Sequence, residues 1–186
     1  MNIPNLISLG RLLSVPLTVW LILDAAWVAA FALFLAAGVS DAIDGYIAKR
    51  YDLRSELGRF LDPLADKALL VSIYVTLGLK GILLPWIVIL VVSRDVLIVG
   101  GVLLSFAMGL SFEVQPSPVS KLNTVMQITL AAAMLGQMGL HIRLPWPLGL
   151  ALVLIVAVTT VLSGAGYLID WGRAQASTMN DDGGGA

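Results

Sequence analysis

Six long apolar segments, near 5–24, 26–49, 57–79, 82–110, 119–139 and 147–171, limit what this chain can fold into more than any other feature. A helix needs roughly 20 mainly apolar residues to cross the hydrocarbon core of a bilayer, and these segments are of that length. The breaks between them fall where charged or turn-forming residues gather: Asp24 to Ala26, Arg50 to Glu56, Lys80-Gly81, Ser111 to Pro118, and Gly139 to Pro147. Composition agrees, with 59% apolar and 12% charged residues, against about 45–50% and about 25% in soluble domains. The expected fold is an all-α integral membrane protein of six transmembrane helices. Residues 1–175 are expected to form one six-helix membrane domain. Residues 176–186, polar and Gly-rich, are expected to be a disordered cytoplasmic tail. The first segment lacks a basic leader and a small-residue cleavage site, so it reads as a retained helix.

Positive charge gives the orientation. Lys49, Arg50, Arg54 and Arg59 lie in or beside the second connection, Lys121 beside the fourth, and Arg173 after the last helix, whereas the other side has only Lys80 and Arg143. Both termini are therefore expected to be cytoplasmic. Trp20, Trp27, Trp86 and Trp146 all fall at helix ends on the opposite side, where an aromatic belt would sit. A net charge of −1 offers no nucleic-acid footprint. The absence of cysteine removes disulfides, thiolate metal sites and thiol catalysis, and a single histidine removes multi-imidazole metal sites.

Against that apolar background, acids are expensive: a charge at bilayer depth costs on the order of 2.5–3.5 kcal/mol. The chain nevertheless places Asp41 and Asp44 toward the cytoplasmic end of the second segment, and Asp62 and Asp66 at the start of the third. Spacings of three and four put each pair on one helical face. With a short connection between the two helices, side-by-side packing with all four carboxylates converging is expected. Arg54, Arg59 and Lys67 could offset part of the charge, but oxygen-only ligands in such a group suit hard divalent ions. Gly45, Ala48 and Gly58 flank the acids; they would let a bulky ligand approach the backbone, or simply allow close helix packing.

Taken together, Asp41-x2-Asp44-Gly45-x2-Ala48-x9-Gly58-x3-Asp62-x3-Asp66 resembles the signature of the CDP-alcohol phosphatidyltransferases. The resemblance implies a six-helix, commonly homodimeric membrane enzyme that transfers a phosphatidyl group from CDP-diacylglycerol to an alcohol and releases CMP. It further implies that Asp41, Asp44, Asp62 and Asp66 hold two divalent ions, Mg²⁺ or Mn²⁺, and that Asp66 is the general base for the acceptor hydroxyl. Asp44, Gly45, Ala48, Lys49 and Gly58 would bind the CDP moiety. The family usually has Arg where this chain has Lys49, which keeps the charge but loses the bidentate fork to phosphate.

Resemblance to the glycerophospholipid branch extends over most of the chain, from Asn2-Ile3-Pro4-Asn5 and Arg11 onward. Ser93-Arg94-Asp95-Val96 and Ser120-Lys121-Leu122-Asn123-Thr124 are more similar to cardiolipin synthases than to phosphatidylglycerophosphate synthases, which tend to carry Arg-Glu and Lys-x-Lys-Thr at these places. Phosphatidylglycerol is thus the expected acceptor, with glycerol 3-phosphate the alternative. Asn123 in place of a second Lys would remove one cation from the acceptor pocket. Arg94 and Lys121 are candidate phosphate ligands; the plainer roles are a pair with Asp95 and interfacial snorkelling. An ion-coupled transporter is the alternative of another class, but the acids lie toward one face and no internal repeat is visible. A bacterial inner membrane, or an equivalent organellar one, with the active site toward the cytoplasm, fits this topology.

Overall fold

The computed structural model describes the backbone of residues 3–51, 56–107 and 117–182. Side chains are described over the same stretches except at 3–8, 42, 44–51, 56–64, 66, 102–107 and 173–182. The described residues form six helices: α1 (Ile3–Leu23), α2 (Trp27–Tyr51), α3 (Glu56–Leu79), α4 (Pro85–Ala107), α5 (Pro118–Leu140) and α6 (Trp146–Asp182). Each corresponds to one of the six apolar segments. Among the described residues, Trp146–Gly172 is the stretch long and apolar enough to cross a membrane by itself; Leu9–Leu23, Trp27–Asp41 and Lys67–Leu79 are apolar but shorter. Helix α6 continues to Asp182, through part of the stretch expected to be a tail.

The helix ends follow local chemistry. Ala25, in the left-handed region at φ 58°, and Gly81, at φ 71°, make the tight reversals after α1 and α3. Pro85 opens α4, where an N–H would have no helical acceptor. Ser117 caps α5 by accepting from the Ser120 amide at 3.2 Å, with Pro118 in the first turn. His141, at φ 54°, closes α5 in a left-handed C-cap.

Helix α3 carries much of the core through Ala65, Leu69, Leu70, Ile73, Tyr74 and Leu77, all buried, at the i, i+4 and i+3 spacing of one broad helical face. Around it α1 packs against α2 and α3, α5 against α2, α3 and α6, and α4 against α3 and α6. Small residues allow two of these approaches. A Cβ at Gly139 of α5 would lie 3.1 Å from the backbone of Trp27 on α2, and one at Gly136 would lie 3.4 Å from the Phe31 ring. Residues 27 and 31 thus meet 139 and 136, which makes α2 and α5 antiparallel. At the same end, Lys80 Nζ donates to the Leu23 carbonyl at 2.7 Å, tying the α3–α4 turn to the end of α1.

Among the described residues both α1 and α5 touch α2 and α3, and α2 and α3 line a shared cavity. The side-by-side packing expected where α2 and α3 join falls on residues 44–64 and 66, whose side chains lie outside the described residues.

Candidate active site

The cavity is bounded by α1, α2, α3 and α5 and has a volume of about 410 Å³. Phe34, Leu35, Leu69, Leu70, Ile128 and Ala132 supply apolar wall, while Arg11, Asp41, Lys67 and Thr124 supply its polar groups. Chain direction puts these polar groups together. Among the described residues Asp41 is the last of α2 to line the cavity, and Lys67 and Thr124 come before the apolar lining residues of α3 and α5. The result is an apolar chamber charged at one end.

Asp41 is the expected metal-site carboxylate whose side chain is described. It is 47% exposed, and its Oδ1 accepts from Arg11 Nη2 at 2.7 Å; the Arg11 side chain is only 5% exposed. Arg11 is held in an apolar helix by this pair, and the carboxylate keeps a solvent-accessible side toward the cavity. The side chains of Asp44, Gly45, Ala48, Lys49, Gly58, Asp62 and Asp66 lie outside the described residues. Their backbone positions are helical, with Asp44 to Lys49 in α2 and Gly58, Asp62 and Asp66 in α3. Among the described residues no group of three or more potential metal ligands occurs.

Lys67, expected among the cations around the four acids, reaches across to α4: its Nζ donates to Asp95 Oδ1 at 2.9 Å. The same oxygen accepts from Arg94 Nη1 at 2.5 Å. Arg94 Nη2 donates to Ser120 Oγ on α5 at 2.5 Å and to Ser163 Oγ on α6 at 2.6 Å. Arg94 and Asp95 are buried, at 4% and 1% exposure, so this network stands in low dielectric and its bonds are strong. Arg94, a candidate phosphate ligand, therefore also holds α4, α5 and α6 together. Lys121 is exposed in the first turn of α5, next to Ser120.

Asn123 does not line the cavity. It is wholly buried, and its Oδ1 accepts from Thr159 and Thr160 of α6, each at 2.9 Å. The residue that stands where a second Lys would have supplied a cation thus makes a helix-to-helix hydrogen bond. Three residues that sequence reasoning did not use as a set, Arg11, Lys67 and Asp95, make the ion pairs of the described site. A signal for them existed. Arg11 and Asp41 stand 14 and 16 residues from Ala25, and Lys67 and Asp95 stand 15 and 13 from Ile82. Nearly equal distances on either side of a helical hairpin turn place two residues opposite one another.

A family model, CDP-alcohol phosphatidyltransferase, matches residues 1–163, which include all four aspartates and every charged residue of the described site. The chain belongs to the CDP-alcohol phosphatidyltransferase family. It is 35% identical over 92% of its length to CDP-diacylglycerol–glycerol-3-phosphate 3-phosphatidyltransferase 1, chloroplastic, of Oryza sativa subsp. japonica, covering 57% of that protein. It is 36% identical over 90% of its length to a cardiolipin synthase (CMP-forming)/mitochondrial hydrolase fusion protein of Schizosaccharomyces pombe, covering 31% of it. With the cardiolipin synthase (CMP-forming) of Homo sapiens it shares 28% identity over 97% of its length and covers 64% of that protein. The chain thus spans about a third to two thirds of the length of these relatives, and both expected branches of the family are represented among them.

Proposed function

We propose that this protein transfers a phosphatidyl group from CDP-diacylglycerol to phosphatidylglycerol, releasing CMP and forming cardiolipin. The observation that carries the reading is the cavity: an apolar chamber with Arg11, Asp41 and Lys67 at one end has the polarity of a phospholipid. Its volume lies within the ~300–1,000 Å³ usual for small-molecule sites. The six helices would cross a bilayer with both termini cytoplasmic. That is supported by the exposure of large apolar side chains such as Leu13, Ile89 and Val158, and by exposed Trp20, Trp86 and Trp146 at one set of helix ends. A bacterial inner membrane or an equivalent organellar one, and a homodimer, complete the reading.

Asp41, Asp44, Asp62 and Asp66 would hold two divalent ions, Mg²⁺ or Mn²⁺. The donor set fits, because carboxylate oxygens are the ligands hard cations prefer, and the Asp41 carboxylate remains accessible beside its Arg11 partner. Such ions supply charge neutralisation on the diphosphate and on the departing CMP. The chain's own residues do the rest. Gly45, Ala48, Lys49 and Gly58 would accommodate the CDP moiety. Asp66 takes the proton from the acceptor hydroxyl as its oxygen attacks the phosphatidyl phosphorus, and the P–O bond to CMP breaks in line. Lys121 and Arg94 are the proposed acceptor-phosphate ligands; Lys121 is exposed, while Arg94 is not part of the cavity wall and its buried Nε has no hydrogen-bond partner among the described residues.

Glycerol 3-phosphate is the second acceptor to consider, since the relative from Oryza carries that alcohol in its name. CMP release decides between the two. Purified protein in mixed micelles with CDP-diacylglycerol and Mg²⁺ or Mn²⁺ is offered each alcohol separately, with Asp66→Asn as control. Release with phosphatidylglycerol alone, lost in the variant, is the expected result. Release with glycerol 3-phosphate alone overturns the acceptor, and silence with both overturns the reaction.

A further inference from the structure

Lys67 stands where two parts of the molecule meet. It follows Asp66 in α3, it lines the charged end of the cavity, and its ammonium is anchored from behind by Asp95. Asp95 takes no part in the cavity wall and is 1% exposed. Its anchorage is firm: through Arg94 the same carboxylate oxygen is tied to Ser120 on α5 and Ser163 on α6, so it is fixed with respect to four helices.

Packing alone does not account for such a carboxylate. Buried ion pairs are commonly no more stable than apolar residues of the same size, because desolvation offsets the Coulombic gain. Lysine, in contrast, has much to gain from a tether. Its ammonium is a point charge on a flexible four-carbon stem, and a fixed partner restricts where that charge sits. Lys67 is 21% exposed and forms part of the cavity wall, so the side chain held by Asp95 still reaches that wall.

We propose that Asp95 is a positioning residue for phosphate recognition: it holds the Lys67 ammonium at the cavity wall, where Lys67 meets the phosphate of a bound anionic phospholipid. The proposal rests on the phosphatidyl-transfer reading for the identity of the lipids. The shared chemistry, phosphate joined to acyl chains, has two sources, CDP-diacylglycerol as donor and phosphatidylglycerol as acceptor.

The test is a double-mutant cycle on binding. The full chain, its Asp95→Asn and Lys67→Met variants, and the double variant are placed in phosphatidylcholine nanodiscs. Labelled CDP-diacylglycerol and labelled phosphatidylglycerol are titrated in separate arms, and thermal melting is recorded for every protein. Each single variant is expected to weaken one of the two lipids about tenfold or more, the scale of a hydrogen bond to a charged group. The double variant should bind no more weakly than Lys67→Met alone, whatever its melting temperature, because Asp95 acts through Lys67. In turnover, Asp95→Asn should raise KM for that same lipid while kcat is kept. The arm that responds says which lipid Lys67 meets. Unchanged binding of both lipids in Asp95→Asn overturns the proposal, as does an additive loss in the double variant. If Asp95→Asn melts too early to titrate, Asp95→Glu, which displaces the carboxylate by one methylene, enters the same cycle and is judged by the same two results. A parent protein that binds these lipids through Lys67 but releases no CMP refutes the transfer reading and leaves the positioning role standing.

Discussion

Replacing Asn123 separates a structural role from a part in acceptor choice. The side chain is fully buried between α5 and α6, where Oδ1 accepts from Thr159 and Thr160, while Nδ2 has no hydrogen-bond partner among the described residues. In Asn123→Leu the Thr159 hydroxyl keeps the Ile155 carbonyl at 2.8 Å, so only Thr160 loses its acceptor outright. Interhelical hydrogen bonds of this kind average about 0.6 kcal/mol in membrane proteins, giving a loss of roughly 1 kcal/mol. Removing the unsatisfied amide returns a similar amount, since a buried donor without a partner costs about 1–3 kcal/mol. Net stability should stay within about 1 kcal/mol of the parent, or roughly 2–4 °C for a chain of this size. Asn123→Lys differs. The site lies five residues into α5, on the order of 7.5 Å along the helix, and an ammonium there costs about 2 kcal/mol or more even if its stem reaches toward the helix end. Thermal unfolding in detergent gives the stabilities, and CMP release with phosphatidylglycerol against glycerol 3-phosphate gives the acceptor ratio. Asn123→Leu should leave that ratio unchanged. A switch toward glycerol 3-phosphate in the leucine variant, or a drop of more than about 10 °C, would refute the argument that Asn123 is a helix-to-helix contact.

Three further outcomes follow from the same structure. Ala132→Phe fills the apolar wall of the cavity and should raise KM for a phospholipid substrate several-fold, with little change in melting temperature; an unchanged KM in steady-state assays would place the acyl chains elsewhere. Gly139→Ala should destabilise the protein, because its Cβ would press on the Trp27 and Val28 backbone at 3.1 Å. Gly100→Ala has open space at its Cβ and should gain up to about 1 kcal/mol of helix propensity, so the two melting temperatures move in opposite directions. Chelation of divalent ions should abolish CMP release, and Mg²⁺ or Mn²⁺ should restore it; full activity in the chelator would remove the metal role proposed for the four aspartates.

How far the sequence could be read depended on what each feature costs. Helices α1 to α6 were legible because runs of about twenty apolar residues admit few other folds, and because Ala25, Gly81 and Pro118 sit where the chain must turn. The four aspartates stood out in the sequence because acids in such runs are expensive enough to demand a reason, and of their side chains only that of Asp41 falls among the described residues. Asp95 and Lys67 were harder. Each belongs to a helix whose other residues already explain it, and the meaning of either lies only in the other, 28 residues away. The same holds for Arg11, which read as part of a terminal motif and proved to be the partner of Asp41. Cavity volume was not legible at all, because it depends on α1 standing against both α2 and α3 rather than on any one residue type.

The Arg11–Asp41 and Lys67–Asp95 pairs share a logic that bears on the reaction. In each, one partner is nearly sealed from solvent and the other is more exposed: Arg11 at 5% holds Asp41 at 47%, and Asp95 at 1% holds Lys67 at 21%. The buried member fixes the accessible one, so an anion on α2 and a cation on α3 line the same chamber. A phosphoanion with acyl chains needs both: a cation to meet its charge directly, and carboxylates through which divalent ions could meet the rest. Fixing these charges before substrate arrives also limits the reorganisation that binding must overcome. Weakening either buried member should therefore act on the substrate through its exposed partner, Arg11 by way of Asp41 and Asp95 by way of Lys67.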